Sequence, residues 1–560
     1  MNNNLEESHF NLTSGGDGVS VSAAMILLRR RLLLIVLPLA VLLSVLLLRQ
    51  ATEPNHTFRW HGEVTTAAIQ PSESNQQHGL TSSSLRVVHL DLKGAPPKIS
   101  YLRQLLPLLA ANGCTGLLIE YEDMFPYQGS LANISAKNAY TQEQILELLS
   151  WAQHLGLEVI PLIQTFGHLE FVLKLAEFRH LRELDTFPQE LCPRAPGTLD
   201  LLREMIQQVM RLHSRAKYLH IGCDEVYHLA ACPRCTHSTR GGREIFTEHV
   251  TQVAELVKSE YPNVTPIIWD DMLRRWDPVY LSKSSLGALV EPMVWAYSDN
   301  ITRLVPHYLW YWYSKTFSRI WVAGAFKGAN LPTSVLPDVR LHYNNQKSWL
   351  RLLAASNTNA KIAGYVLTGW SRYDHFAVLC ELLPPSIPSL LLNLILVSTQ
   401  ESDKSVLEMW KRTLKCGSRS TLTIDFMSSN HRPLALCSFP GLKAFLVTSK
   451  YMSLKSKVDH FYEVVTEQKA WMTPYNVKYN FTSPYRVLEE FRLTEGYRLI
   501  KEVKKFMNET KDTFSEYFDD HTIVEWVEQR ILPIDDKLTY LETVNNHLLS
   551  KRTWPRRPFT

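Results

Sequence analysis

The sequence predicts an α/β chain built on a (β/α)8 TIM barrel, with a transmembrane helix before it and a helical region after it. Three observations predict this. Between residues 84 and 395, eight short apolar, β-rich runs alternate with stretches whose apolar residues recur at helical spacing. Runs apolar throughout, rather than alternating, are those of a parallel sheet covered on its outer face. No G-x-G-x-x-G follows the first run, which weighs against an open doubly wound sheet. The composition, 45% hydrophobic and 20% charged over 560 residues, supports a packed core and not wholesale disorder. A net charge of +4 spread along the chain carries no nucleic-acid-binding footprint. Eight cysteines are too few for a scaffold built on disulfides.

Residues 1–31 read as a cytosolic tail and 32–48 as the anchor. From Leu32 to Leu48 run 17 uncharged residues, mostly Leu and Val, directly after Arg29, Arg30 and Arg31. That is the lower edge of a bilayer-spanning helix, and the arginines put the N-terminus in the cytosol. A cleaved signal peptide is disfavoured, since the charged segment starts some thirty residues in and no small-x-small cleavage site follows. Residues 49–83, rich in Ser, Gln, Thr and Asn, read as a stalk. N-x-S/T sequons at Asn55, Asn133, Asn263, Asn300, Asn480 and Asn508 all fall on the lumenal side of the anchor. The reading is a single-pass type II membrane protein, and the short span suits the thinner membranes of the ER or Golgi. Cys232-Pro-Arg-Cys235 has zinc-knuckle spacing, but no second pair stands at the usual distance, so a loop disulfide is expected in an oxidising lumen.

The barrel, residues 84–395, begins with Leu85–Leu90, followed by a helix over Ile99–Leu109 that stops at Asn112-Gly113, residues that tolerate the left-handed conformation. Gly116–Tyr121 is the second strand. Thr141-Gln-Glu-Gln144 then forms a capping box for a helix carrying Ile145, Leu148, Leu149 and Trp151, closed near Gly156. Leu157–Ile163, Tyr218–Cys223, Pro266–Asp270, Val290–Ala296, Arg319–Ala323 and Lys361–Thr368 complete the eight strands, with helical patterns such as 199–213 and 243–259 between them. In the final part, 396–560, helical spacing continues alone, over Leu442–Phe461, Tyr485–Met507 and Ile523–Leu549.

Chemistry in such a barrel sits at the C-terminal ends of the strands. Here those ends read His89-Leu-Asp91-Leu-Lys93, Glu120-Tyr-Glu122-Asp123, Thr165-Phe-Gly-His168-Leu-Glu170, His220-Ile-Gly-Cys-Asp224-Glu225, Trp269-Asp270-Asp271, Trp295-Ala-Tyr297 and Gly369-Trp370-Ser-Arg-Tyr373-Asp374. Adjacent carboxylates inside a strand point to opposite faces. At the strand's last residue and the first of the loop that alternation lapses, so Asp224 and Glu225 can share one cup. Two neighbouring carboxylates push their protonation apart, leaving one ionised and one able to act as an acid, which is what acid-assisted cleavage of a glycosidic bond requires. Trp269, Trp295 and Trp370 suit walls that stack on a sugar ring, and His168 is placed to orient a carboxylate or meet a hydroxyl. Asp91 and Asp270 join the binding set as strand-end carboxylates. Two other readings use the same ends: a metal-dependent hydrolase on His89, Asp91, His220 and Asp270, though strand one offers His-x-Asp and not His-x-His, and a catalytically silent, lectin-like barrel.

The stretches His89–Lys93, Gln164–Glu170, His220–Glu225, Trp269–Met272 and Gly369–His375 resemble glycoside hydrolase family 20, the β-N-acetylhexosaminidases, and within it the hexosaminidase D group. The resemblance covers the barrel. It implies a retaining, substrate-assisted hydrolysis of terminal GlcNAc or GalNAc from glycans, in which the substrate's acetamido oxygen attacks the anomeric carbon. Glu225 would protonate the leaving oxygen and then activate water; Asp224 would hold the acetamide N–H. Trp295 and Trp370 would line the sugar site, and Tyr297 or Tyr373 would bond the acetamide oxygen. No metal or cofactor is implied. Two positions depart from the lysosomal-type pattern: Lys93 stands where an arginine is expected, and Arg372 where a glutamate is expected.

Overall fold

The computed structural model describes residues 80–559, apart from 238–239, 356–360, 419, 421, 425–431, 490 and 492–494. The expected tail, the anchor at 32–48 and the stalk up to residue 79 lie outside the described residues. Among the described residues no helix is long and apolar enough to cross a membrane.

The described residues form ten strands: β1 (Leu85–Asp91), β2 (Gly116–Glu120), β3 (Glu158–Leu162), β4 (Arg182–Leu184), β5 (Phe187–Leu191), β6 (Tyr218–His220), β7 (Thr265–Trp269), β8 (Glu291–Trp295), β9 (Ile320–Lys327) and β10 (Ile362–Gly369). Eight of them form a closed parallel barrel in the order β1-β2-β3-β6-β7-β8-β9-β10. Closure comes from the β1–β10 ladder, in which Val88 is level with Leu367. The strands β4 and β5 form an antiparallel hairpin outside the barrel, which the sequence pattern did not predict because each strand is so short.

Side chains alternate along each barrel strand. Val87, Leu118, Ile160, Leu162, Ile267, Met293, Trp321, Ala323 and Val366 fill the lumen. Their neighbours Val88, Leu90, Leu117, Ile119, Ile268, Val294 and Val322 face outward into a second core shared with the helices. Both faces are buried, which is why these strands read as unbroken apolar runs. The capping box at Thr141 forms as expected, with the Thr141 side chain accepting from the Gln144 N–H and the Gln144 side chain accepting from the Thr141 N–H.

Several boundaries differ from the sequence reading: the strand expected to end at Ala323 runs on to Lys327, and the helix expected over 485–507 has its long part at Gly496–Phe514. The fourth barrel strand ends at His220, not Cys223, because Gly222 and Cys223 both take positive φ and leave the extended conformation. The single helix expected over 523–549 is two, Asp520–Arg530 and Leu532–Ser550, split where Pro533 supplies the first turn of the second. The first of these helices braces the barrel mouth. The Thr522 hydroxyl donates to the Gly94 carbonyl at 2.9 Å, and the Arg530 guanidinium donates to the Thr333 and Leu379 carbonyls.

Candidate active site

The strand alternation carries His89, Glu120 and His220 inward at the top of the lumen, above the apolar layers. There Glu120 accepts from Lys93 Nζ at 3.1 Å and lies 3.1 Å from His89 Nε2. Lys93 also lies 3.3 Å from Asp91 and 3.6 Å from Glu122. All five side chains are buried. Burial alone would lower the Lys93 ammonium, but the three carboxylates outweigh it and hold the amine well above its usual range. The same pairing, with His89, drives Glu120 below the ordinary carboxylate range against its burial. The result is a fixed, charged floor, since a buried charge persists only where it is paired and hydrogen-bonded.

Above this floor a cup opens, lined by Lys93, Glu120, Gln164, His168, Asp224, Glu225, Trp269, Trp295, Tyr297, Gly328, Ala329, Trp370, Arg372 and Tyr373. Asp224 and Glu225 reach it together because the chain turns after His220: Gly222, Cys223 and Glu225 have φ of 68°, 72° and 49°. Positive φ at two non-glycine residues is costly and persists only where surroundings enforce it. Close approach enforces it here, since a Cβ on Gly222 would meet Gln164 Oε1 at 1.9 Å and one on Gly167 would meet the Asp224 carbonyl at 2.3 Å. His168, itself at φ 52°, points Nε2 at Glu225 (3.2 Å) and at Asp224 (3.6 Å). Gln164 Nε2 donates to Asp224 Oδ1 at 3.1 Å.

The two acids differ in depth: the Asp224 side chain is 10% exposed and that of Glu225 35%. Burial pushes the Asp224 carboxyl up to about 7, with Asp271, Glu225 and Glu120 adding to the rise and His168 opposing it. The hydrogen bond from His168 holds Glu225 below the usual range against its partial burial. Burial disfavours the His168 cation, but Asp224, Glu225 and Glu170 raise its pKa to about 10. Near neutral pH Asp224 is therefore close to its titration midpoint beside an imidazolium, and of the two acids the deeper one holds its proton more tightly.

The walls are aromatic. Trp269 and Trp370 have ring centroids 5.9 Å apart, Trp295 and Tyr297 5.1 Å. Trp370 Nε1 donates to the Tyr297 hydroxyl at 3.1 Å, and that hydroxyl also hydrogen-bonds the Thr368 side chain. Tyr297 is beside the acidic pair, whereas Tyr373 stands half-exposed at the rim.

Two expected binding residues do not reach the cup. Asp91 accepts from the Ser371 and Lys93 backbone N–H groups (2.6 and 3.0 Å) and braces the loops after β1 and β10. Asp270 points outward, because Trp269 before it points in; it pairs with Arg274 and accepts from the Tyr313 hydroxyl at 3.3 Å. Its neighbour Asp271 is the one turned to the site, accepting from the Glu225 N–H at 2.9 Å and from Trp295 Nε1 at 3.1 Å. With Asp91 and Asp270 so engaged, the four residues of the metal-hydrolase alternative do not converge. Gln164, Glu120 and Asp271 were not assigned to the site from the sequence; all three stand within the quoted stretches, but only their contacts single them out. Arg372 donates to the Lys93 and Ala377 carbonyls and pairs with Glu525 of the helix Asp520–Arg530. The disulfide expected across Cys232 and Cys235 is absent: both are free thiols, and the one disulfide among the described residues joins Cys416 to Cys437.

The catalytic-domain model of glycosyl hydrolase family 20 matches residues 106–304. Human Hexosaminidase D is 39% identical over 469 residues, covering 83% of this chain and 94% of that protein. Bovine Hexosaminidase D is 46% identical over 311 residues, 55% of this chain and 90% of that protein. Among solved structures, the β-N-acetylhexosaminidase of Bacteroides fragilis superposes with a TM-score of 0.45 at 16% identity, over 59% of this chain and 71% of that one.

Proposed function

The chain belongs to glycosyl hydrolase family 20, and on that premise we propose how its strand-end cup works as an exo-acting β-N-acetylhexosaminidase on terminal GlcNAc or GalNAc. The sugar stacks on Trp269, Trp295 and Trp370, with its acetamide between Asp224 and Tyr297. Binding reverses the resting proton distribution of the acidic pair. The acetamide N–H donates to Asp224 and favours its carboxylate, while the sugar displaces water from Glu225 and raises its pKa. Glu225 then protonates the leaving oxygen as the acetamido oxygen attacks the anomeric carbon from the opposite face. The C–O bond to the aglycone breaks, and a cyclic oxazolinium forms with its positive charge beside Asp224. Tyr297 donates to the acetamido oxygen and orients it. Glu225, now a carboxylate, takes a proton from water that opens the ring at the same carbon, so configuration is retained.

The convergence of Asp224 and Glu225 on His168 beneath three indole rings carries this reading. Glu225→Gln tests it. Turnover of an N-acetylhexosaminide with a poor leaving group should fall by about 10²–10⁴-fold, the usual contribution of general acid–base catalysis. Aryl substrates, which need less protonation, should lose less in the first step. Equal loss on both substrate types would contradict the role given to Glu225.

The same proposal places the enzyme on the lumenal side of a secretory-pathway membrane, held by residues 32–48 with the N-terminus in the cytosol. Supporting it, the sequon asparagines Asn133, Asn263, Asn300 and Asn508 are solvent-exposed, as glycan acceptors must be. The Cys416–Cys437 disulfide suits an oxidising compartment. Endoglycosidase treatment of the cell-expressed chain should increase its gel mobility; an unchanged band would refute the topology.

A further inference from the structure

Outside the cup the fold gathers four metal-ligating side chains that are scattered in sequence, two before Glu225 and two after it. Glu183 lies on β4 and Cys192 just beyond β5, while Cys232 and Cys235 bracket the first turn of a short helix in the loop after β6. All four are buried, none more than 4% exposed. One ligand atom from each lies within 4.8 Å of all the others. Cys192 Sγ is 3.5 Å from Cys232 Sγ and 3.8 Å from Cys235 Sγ, and Cys235 Sγ is 3.5 Å from Glu183 Oε2.

These separations are those of a tetrahedral centre. With zinc–sulfur bonds of about 2.3 Å and a zinc–oxygen bond of about 2.1 Å, the edges of the tetrahedron are about 3.8 Å between sulfurs and about 3.6 Å from sulfur to oxygen. The carboxylate is also pre-aimed. Glu183 Oε1 accepts from the Ala231 and Cys232 N–H groups at 2.7 and 2.9 Å, which turns Oε2 toward the sulfurs. Fixing a ligand through its second oxygen in this way is characteristic of metal sites. A disulfide accounts for less: three cysteines leave one thiol over, and the buried carboxylate would still face sulfur with no cation.

We propose that Glu183, Cys192, Cys232 and Cys235 bind one structural zinc ion, which clips the β4–β5 hairpin to the loop that follows Glu225. Ion binding displaces the three thiol protons, so occupancy falls in acid. The clip has a consequence for the cup's rim. Glu190 of the same hairpin accepts from the Tyr227 and His228 N–H groups at 3.1 and 3.3 Å, so the hairpin holds the segment leaving Glu225 at two places.

Metal content tests the proposal, and as a readout it is independent of turnover. The full chain, purified without chelators, should carry about one zinc by mass spectrometry, and a mercurial reagent titrating about three thiols should release it to a chromogenic chelator. Cys192→Ser and Cys235→Ser should each fall below about 0.2 zinc per chain, while Cys114→Ser, a buried thiol elsewhere, keeps its zinc. Cobalt(II) reconstitution should give thiolate-to-metal charge-transfer absorption. Should the serine variants fail to fold, the mercurial release and cobalt spectrum of the unmutated chain still decide the matter. Less than about 0.1 zinc in active protein, a mapped disulfide within the cluster, or zinc retained by both serine variants would each overturn it.

Discussion

Replacing His168 by glutamine isolates the electrostatic core of the proposed mechanism. The imidazolium stands 3.6 Å from Asp224 and 3.2 Å from Glu225. At an effective dielectric near 20, a unit charge at 3.6 Å is worth about 4.6 kcal/mol, or roughly three pK units. Asp224, one-tenth exposed, feels most of this; Glu225, a third exposed, is screened by water and feels less. The sign follows directly: a nearby cation favours a carboxylate's ionised form, so its removal raises both acids. The productive enzyme is the pair carrying one proton, and the pH dependence of kcat/KM reports the two macroscopic values that bound that state in the free enzyme. In the native enzyme the alkaline limb then falls near pH 7, from the value of about 7 at Asp224, and the acid limb lies below the ordinary glutamate range. In His168→Gln the alkaline limb should move upward by about 1.5–3 pH units and the acid limb by less, so the relative loss is greatest in mild acid and shrinks above pH 8. The assay is kcat/KM for an aryl N-acetylhexosaminide from pH 3.5 to 10, with circular dichroism to verify folding. A folded variant whose limbs both stay within about 0.3 unit of the native ones would refute the shared-proton account.

Asp271→Asn keeps the shape but loses one charge-assisted acceptor, setting an amide NH2 against either the Glu225 N–H or the Trp295 indole. The cost of about 1.5–3 kcal/mol predicts a roughly 10- to 150-fold fall in kcat/KM with an unchanged fold, and a change under about threefold would dismiss Asp271 as a positioning residue. Gly167→Ala forces a methyl group to 2.3 Å from the Asp224 carbonyl, a backbone atom that cannot swing aside. Thermal melting and steady-state rates should both deteriorate, since overpacking of this kind costs about 1–3 kcal/mol, and native values for both would show that the His168 turn does not rest on the Asp224 strand end.

Much of the architecture is legible in the sequence. Eight apolar runs spaced by helical stretches do close into a barrel, and the capping box at Thr141 forms at the expected residue, because local periodicity and hydrogen-bond chemistry determine both. The lapse of alternation at Asp224-Glu225 was legible too, although its cause, successive positive φ values wedged by Gln164 and Gly167, was not. The errors share one origin. Asp91 and Asp270 carry the right chemistry at strand ends, but whether such a side chain meets the cup or a neighbouring loop depends on parity and on which cation arrives there. For Asp270 that cation is Arg274, four residues on.

The sequence by itself determined the barrel, the acidic pair and the aromatic walls, since these follow from repeat spacing and residue type along short stretches of chain. The tertiary structure alone decided which acid lies deeper, which of two adjacent aspartates serves the site, and that Cys192 and Glu183 complete a set begun by Cys232 and Cys235. Each of those depends on distances between residues 40 or more positions apart, and charge and metal chemistry act through space, over a few ångströms, with no regard for order along the chain.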